Sequence, residues 1–153
     1  MGTSTTTYYY SGKGMVGAPL PPRGPRRLPL RRSPDWNHWL PTLPQQALWF
    51  RLHGDRNPLH VDPQIAAQMP EITGGRPILH GLCSFGLLNR AVALVHGASR
   101  IQRLNTRFSR PLWPGDTLMV EGWNEGPEVV LRAARLETPQ EEVMTVAVAG
   151  LFP

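Results

Sequence analysis

A long stretch that is apolar on nearly every side, followed by a series of alternating strand-like runs, predicts an α+β fold with an antiparallel sheet curled around one buried helix. The stretch is Gly81–His96 (GLCSFGLLNRAVALVH), with Asn89 and Arg90 as its main polar interruptions. A helix apolar all round is expected to be covered all round. Four strand-like runs follow at 101–112, 117–124, 128–136 and 142–152. They are separated by Pro-Gly-Asp, Glu-Gly-Pro and Thr-Pro-Gln, all of which favour turns. Alternation is clearest in Thr117-Leu118-Met119-Val120-Glu121 and from Val143 to Val148.

One buried helix and a meander of antiparallel strands is the hot-dog arrangement. The elements ahead of the helix are shorter. Residues 36–43 suit a short irregular strand, and 44–53 (PQQALWFRLH) a helix with Pro44 in its first turn. A second short helix is expected over 62–67, with Asp62 as N-cap and Pro63 at the first helical position. Residues 69–75 break it with a proline and two glycines. Residues 1–34 (an arm rich in Gly, Pro and Arg) bury too little apolar surface to offset the entropy of ordering, although Tyr8-Tyr9-Tyr10 suits a short strand. The expected organisation is therefore an arm, 1–34, and one hot-dog domain, 35–153.

Composition narrows the function. In 153 residues, 41% are hydrophobic and 18% charged, as in a globular domain with one modest core. No apolar run approaches the ~20 residues that cross a bilayer, so no membrane association is expected. Met1-Gly2 with Thr6 fits an acylation pattern only loosely. The net charge of +5 is local: residues 1–34 contribute +6 and the rest sums to −1. A nucleic-acid partner would rest on that arm alone, and none is expected. The single Cys83 excludes an internal disulfide and, inside an apolar run, reads as an inert buried thiol. Neither a signal-peptide pattern nor a C-terminal peroxisomal tripeptide is visible, so a cytoplasmic location is expected.

The chemistry concentrates in residues 50–63 (FRLHGDRNPLHVDP), which set a carboxylate (Asp55), an amide (Asn57) and an imidazole (His60) within six residues. Pro58 lacks an N–H and pushes Asn57 out of helical conformation, so the helix before it must break there. A broken helix carrying three hydrogen-bonding side chains suits proton transfer. The same Gly-Asp-x-Asn-Pro is also ordinary turn material, with His60 as a packed histidine. A second segment, Arg76-Pro-Ile-Leu-His-Gly-Leu-Cys83, tips the reading toward chemistry.

Together, residues 50–63 and 77–83 resemble the MaoC-like, (R)-specific enoyl-CoA hydratases (hydratase 2), with His53 where that family usually has Ser or Thr. Thr106-Arg107-Phe108-Ser109-Arg110-Pro111 and Pro114-Gly115-Asp116-Thr117-Leu118 agree with the same pattern. The chain is most similar to the second, site-bearing half of the double hot-dog hydratases. The resemblance implies a hydro-lyase acting on trans-2-enoyl-CoA to give (3R)-3-hydroxyacyl-CoA in fatty-acid metabolism. It implies Asp55 and His60 as the water-holding pair, with Asn57 orienting one of them or the water. Gly81 is the implied backbone donor to the thioester oxygen, at the positive end of a helix. Phe108 matches a family position that contacts acyl-CoA. No metal or other cofactor is implied, since coenzyme A belongs to the substrate. His80, His60 and Asp62 lack metal-ligand spacing, which leaves His80 a structural role. The segment between His60 and Pro77 is longer than is usual in the family.

The other hot-dog half of such enzymes is not in this sequence, so the expected partner is a second copy of the chain, or another hot-dog half, paired edge to edge. The rival readings are a hot-dog thioesterase and a non-catalytic half-domain that partners another subunit.

Overall fold

The computed structural model describes residues 32–152. The tyrosine run, the acylation pattern and most of the arginine arm lie outside the described residues. Arg32, counted with that arm, is tied to the domain. Its guanidinium meets Asp35 at 2.5 Å and Glu125 at 3.0 Å, and its carbonyl accepts from the Trp123 indole at 3.1 Å.

The chain runs through β1 (Trp36–Pro41), α1 (Gln46–Arg51), a 3-10 turn (Pro58–His60), α2 (Pro63–Ala67), α3 (Pro70–Thr73) and α4 (Gly81–His96). After a second 3-10 turn (Ala98–Arg100) come β2 (Ile101–Phe108), β3 (Thr117–Glu125), β4 (Glu128–Arg135) and β5 (Thr138–Leu151). The five strands form one antiparallel sheet in the order β1-β3-β4-β5-β2, so β1 and β2 are its edges. This is the α+β hot-dog arrangement.

Local chemistry accounts for the element ends. Asp62 caps α2 by accepting from the Gln64 and Ile65 N–H groups at 2.8 and 3.3 Å, with Pro63 at the first helical position. Residues 69–75 are not merely a break. They form α3, closed by Gly74 in the left-handed region at φ +65°. The buried Thr73 hydroxyl bonds the Ala66 carbonyl at 2.6 Å and pins this turn. Gly122 is needed for close approach: a Cβ there would sit 2.1 Å from the Trp36 indole across the β1–β3 pair.

Three expectations need correction. The run at 101–112 stops being a strand at Phe108, where the Ser109 and Arg110 N–H groups both turn to the Val143 carbonyl, at 2.9 and 3.2 Å, and break the regular ladder. Thr138-Pro139-Gln140 is not a turn. The chain reverses over Leu136 and Glu137, and Pro139 lies in β5 where register shifts against β4 spare its missing donor.

The third correction bears on function, because α4 is not covered all round. Cys83, Ser84, Leu88, Ala91 and Val92 are buried against the sheet, facing a core that includes Leu118, Val120, Leu131, Met144 and Ala147. Leu82, Leu94 and Val95 remain exposed. One five-stranded sheet wraps one side of the helix, and these three apolar side chains lie outside that cover.

Candidate active site

The helix α1 ends at a break imposed by sequence. Gly54 takes φ +106°, a conformation that side chains rarely adopt, and turns the chain out of the helix. The Asp55 Oδ1 then accepts the backbone N–H of Asn57 at 3.1 Å, and Asn57 Oδ1 accepts the N–H of Leu59 at 3.1 Å. Pro58, at the first helical position, locks the 3-10 turn that carries His60. The Asn57 amide is thus engaged as a cap. What holds the Asp55 carboxylate is the Asn57 backbone N–H, not its side chain.

His60 is fixed from the other side. Its Nδ1 lies 2.9 Å from the carbonyl oxygen of Ile78. A carbonyl can only accept, so Nδ1 carries the proton and the Nε2 lone pair is left for other work. Ile78 belongs to the second motif, so this bond joins the two segments that sequence singled out separately.

That second motif leads into α4. Its N-cap is His80, whose carbonyl accepts from the Cys83 and Ser84 N–H groups at 3.0 and 3.1 Å. An α-helix leaves its first N–H groups without intrahelical partners, and Gly81 holds the first position here. Gly81 also admits close contact. A Cβ on it would lie 3.4 Å from the Phe108 ring at the end of β2. Gly81 and Phe108, proposed from widely separated motifs, are therefore neighbours.

His80, given a structural role from the sequence, sits at the centre of this arrangement. It is 1% exposed, and its ring stacks on His60 with centroids 3.7 Å apart and planes tilted by 25°. Phe50 touches the same ring at 4.7 Å. Neither His80 nitrogen makes a hydrogen bond of ordinary geometry, although the Asp55 backbone carbonyl faces the ring. Burial, with the neighbouring His60 adding to it, pushes the proton affinity of His80 below the usual imidazole range, and the Asp55 carboxylate opposes this only in part. Its position directly before the helix-opening glycine was the signal available in the sequence.

Asp55, His60 and His80 each bring a ligating atom within 4.8 Å of the others. Asp62, considered with the two histidines on spacing, is instead occupied as a helix cap. The three groups make a poor metal site as they stand. Lone pairs point in the ring planes, and two planes tilted by 25° meet well beyond a metal–nitrogen bond of about 2.0–2.1 Å. Cys83 is buried, its thiol proton held more tightly than usual by burial, with the Gln46 amide 3.4 Å from its sulfur. Leu43, Trp49, Phe50, His53 and Cys83 line a cavity of about 260 Å³ beside the ring stack.

A carboxylate and an imidazole thus converge at the amino end of a helix, next to a glycine and an exposed aromatic ring. A family model described as the MaoC like domain matches residues 27–146. The chain belongs to that family. It is 41% identical over 133 residues to the enoyl-CoA hydratase ChsH3 of Mycobacterium tuberculosis, covering 84% of this chain and 44% of that protein. A probable enoyl-CoA hydratase 2 of Dictyostelium discoideum is 34% identical over 96% of this chain and 51% of its own length. Among solved structures, a MaoC-like dehydratase from Phytophthora capsici superposes with a TM-score of 0.77 at 36% identity, over 89% of this chain and 47% of that one. The chain spans about half, or less, of the length of the curated relatives it matches. No helix among the described residues is long and apolar enough to cross a membrane.

Proposed function

We propose that this MaoC-like domain catalyses the reversible hydration of trans-2-enoyl-CoA to (3R)-3-hydroxyacyl-CoA. The observation that carries the reading is the convergence of Asp55 and His60 beside the first turn of α4. Hydration needs a water held for C3, a proton for C2 and a donor for the thioester oxygen as it gains charge. Asp55 and His60 hold the water between them. As its oxygen bonds to C3, the free Nε2 of His60 takes one of its protons and passes it to C2, while the Asp55 carboxylate accepts a hydrogen bond from the O–H that stays on C3. The imidazole is neutral again once C2 has its proton, so one water supplies both the hydroxyl and the hydrogen that are added. The Gly81 N–H, at the positive end of α4, donates to the developing oxyanion. The substrate runs past Phe108. Every step is proton transfer or hydrogen bonding by the chain itself, so the reaction as written uses no cofactor.

The same proposal includes a second hot-dog unit, contributed by another copy of the chain. Trp39, Leu43, Trp49, Leu52 and Leu82 are exposed on β1, α1, the connections beside it and α4, and a second unit would cover such a surface. Sedimentation should give a dimer, and a monomer would refute this part of the proposal. The activity is tested by loss of enoyl-thioester absorbance with crotonyl-CoA, followed by determination of product chirality. Absence of hydration, or an (S) product, refutes the reading. Release of free thiol would favour thioester hydrolysis instead.

A further inference from the structure

We propose that His80 is a positioning residue for this reaction, its flat ring holding the His60 imidazole and the Asp55 loop at a fixed separation from the first amide of α4. The inference rests on the hydratase reading and deepens it. Three observations carry it. The ring contacts His60 at 3.7 Å and Phe50 at 4.7 Å, linking the 3-10 turn to α1. The same residue begins α4, since its carbonyl accepts the Cys83 and Ser84 N–H groups, and Gly81 is its immediate neighbour. The proposed base and the proposed oxyanion donor are therefore joined through one side chain and one peptide bond.

The third observation is burial. Both ring nitrogens are shut off from solvent, so neither water nor substrate has room at them, and His80 acts through His60 rather than on the reacting atoms. Its depressed proton affinity keeps it uncharged near neutral pH. An uncharged neighbour does not repel the positive charge that His60 gains on accepting a proton. Small misplacements are costly here, because an error of about 1 Å between reacting groups can lower turnover ~10²-fold.

The test compares His80→Leu, which loses the flat ring, with His80→Phe, which keeps it, using crotonyl-CoA. His80→Leu should lower kcat at least tenfold while KM stays within about twofold, in protein whose circular dichroism matches the wild type. His80→Phe should recover kcat to within about fivefold of wild type. Phe50→Leu loosens the same contact from α1 and should lower kcat in the same direction with KM held, so the inference stays testable if His80→Leu does not fold. A His80→Leu enzyme with unchanged kcat, a His80→Phe enzyme as slow as His80→Leu, or a Phe50→Leu enzyme altered only in KM overturns the inference. A wild type that hydrates no enoyl-CoA overturns the functional reading and this inference with it. An active wild type alongside any of the contrary variant results overturns this inference alone.

Discussion

The two ends of α4 each carry a histidine whose proton affinity burial has lowered, and only one end bears the proposed chemistry. At the start, His80 contacts a second imidazole, a carboxylate-bearing loop and a glycine that opens the helix. At the finish, His96 meets the edge of the Trp36 indole at 6.0 Å, and Arg100 adds to the effect of burial. No carboxylate counts among the influences on His96. The helix dipole also differs between the ends: partial positive charge at Gly81 favours a developing anion, whereas the His96 end does not. A perturbed imidazole alone therefore does not mark a site. What marks it is the company the imidazole keeps.

Substitutions at the two ends should break the symmetry most sharply. Asp55→Asn and His60→Gln should each lower kcat by ~10²-fold or more, in line with the loss of a positioned acid or base. Circular dichroism should remain as in the wild type, since Asp55 is exposed and both replacements are nearly isosteric. His96→Gln should leave crotonyl-CoA turnover within about twofold, because this residue touches none of the proposed machinery. Equal losses at both ends would show that the fold, not the constellation, was damaged.

A smaller effect is expected at the helix start. Gly81 already has the Phe108 ring at ordinary contact distance from where a Cβ would lie. Gly81→Val should displace that ring and crowd the backbone amide, lowering kcat/KM about tenfold. Steady-state kinetics over a range of crotonyl-CoA concentrations decides it. Undiminished kcat/KM would remove Gly81 from the oxyanion role.

Much of this contrast was written in the sequence. The bounds of α4 were legible because Gly81 opens it, Gly97 ends it, and the sixteen helical residues, Gly81 included, are mostly apolar. The Asp62 cap was legible for the same reason: capping is local chemistry, fixed by side chains two and three residues away. The 50–63 motif placed Asp55 and His60 on one loop. The contact between His60 and His80 was not legible, because they lie far apart in the chain and only the folded 61–79 connection brings the rings face to face. The Pro139 error has a related cause. Proline reads as a turn locally, and only cross-strand register reveals a place where its missing N–H is harmless. Trp113 was equally invisible as a fastener. Its indole donates to the Thr73 carbonyl at 2.7 Å, while the guanidiniums of Arg76 and Arg135 each lie 4.4 Å from its ring.

The smallest expected effect compares the two buried histidines directly through stability. Both hold their protons less tightly in the folded chain than the ordinary imidazole value of about 6.5. Below that value the unfolded chain takes up protons that the native structure refuses. Each therefore contributes stability that is present above about pH 6.5 and is lost as pH falls through the depressed native value. Burial is the main cause at both rings; His60 and Arg51 add to it and Asp55 opposes it at His80, and Arg100 adds to it at His96. The lowered acidity range of Asp35, held by the Asn124 N–H and Arg32, acts only at pH values below the ordinary carboxylate range of about 3.9, outside this window. The urea midpoint should thus change little between pH 8 and 7 and fall toward pH 5. His80→Phe and His96→Phe should each flatten that acid slope, His96→Phe without any change in turnover. If both variants keep the wild-type slope, the acid sensitivity has another source, and burial has not set the proton affinity of either ring.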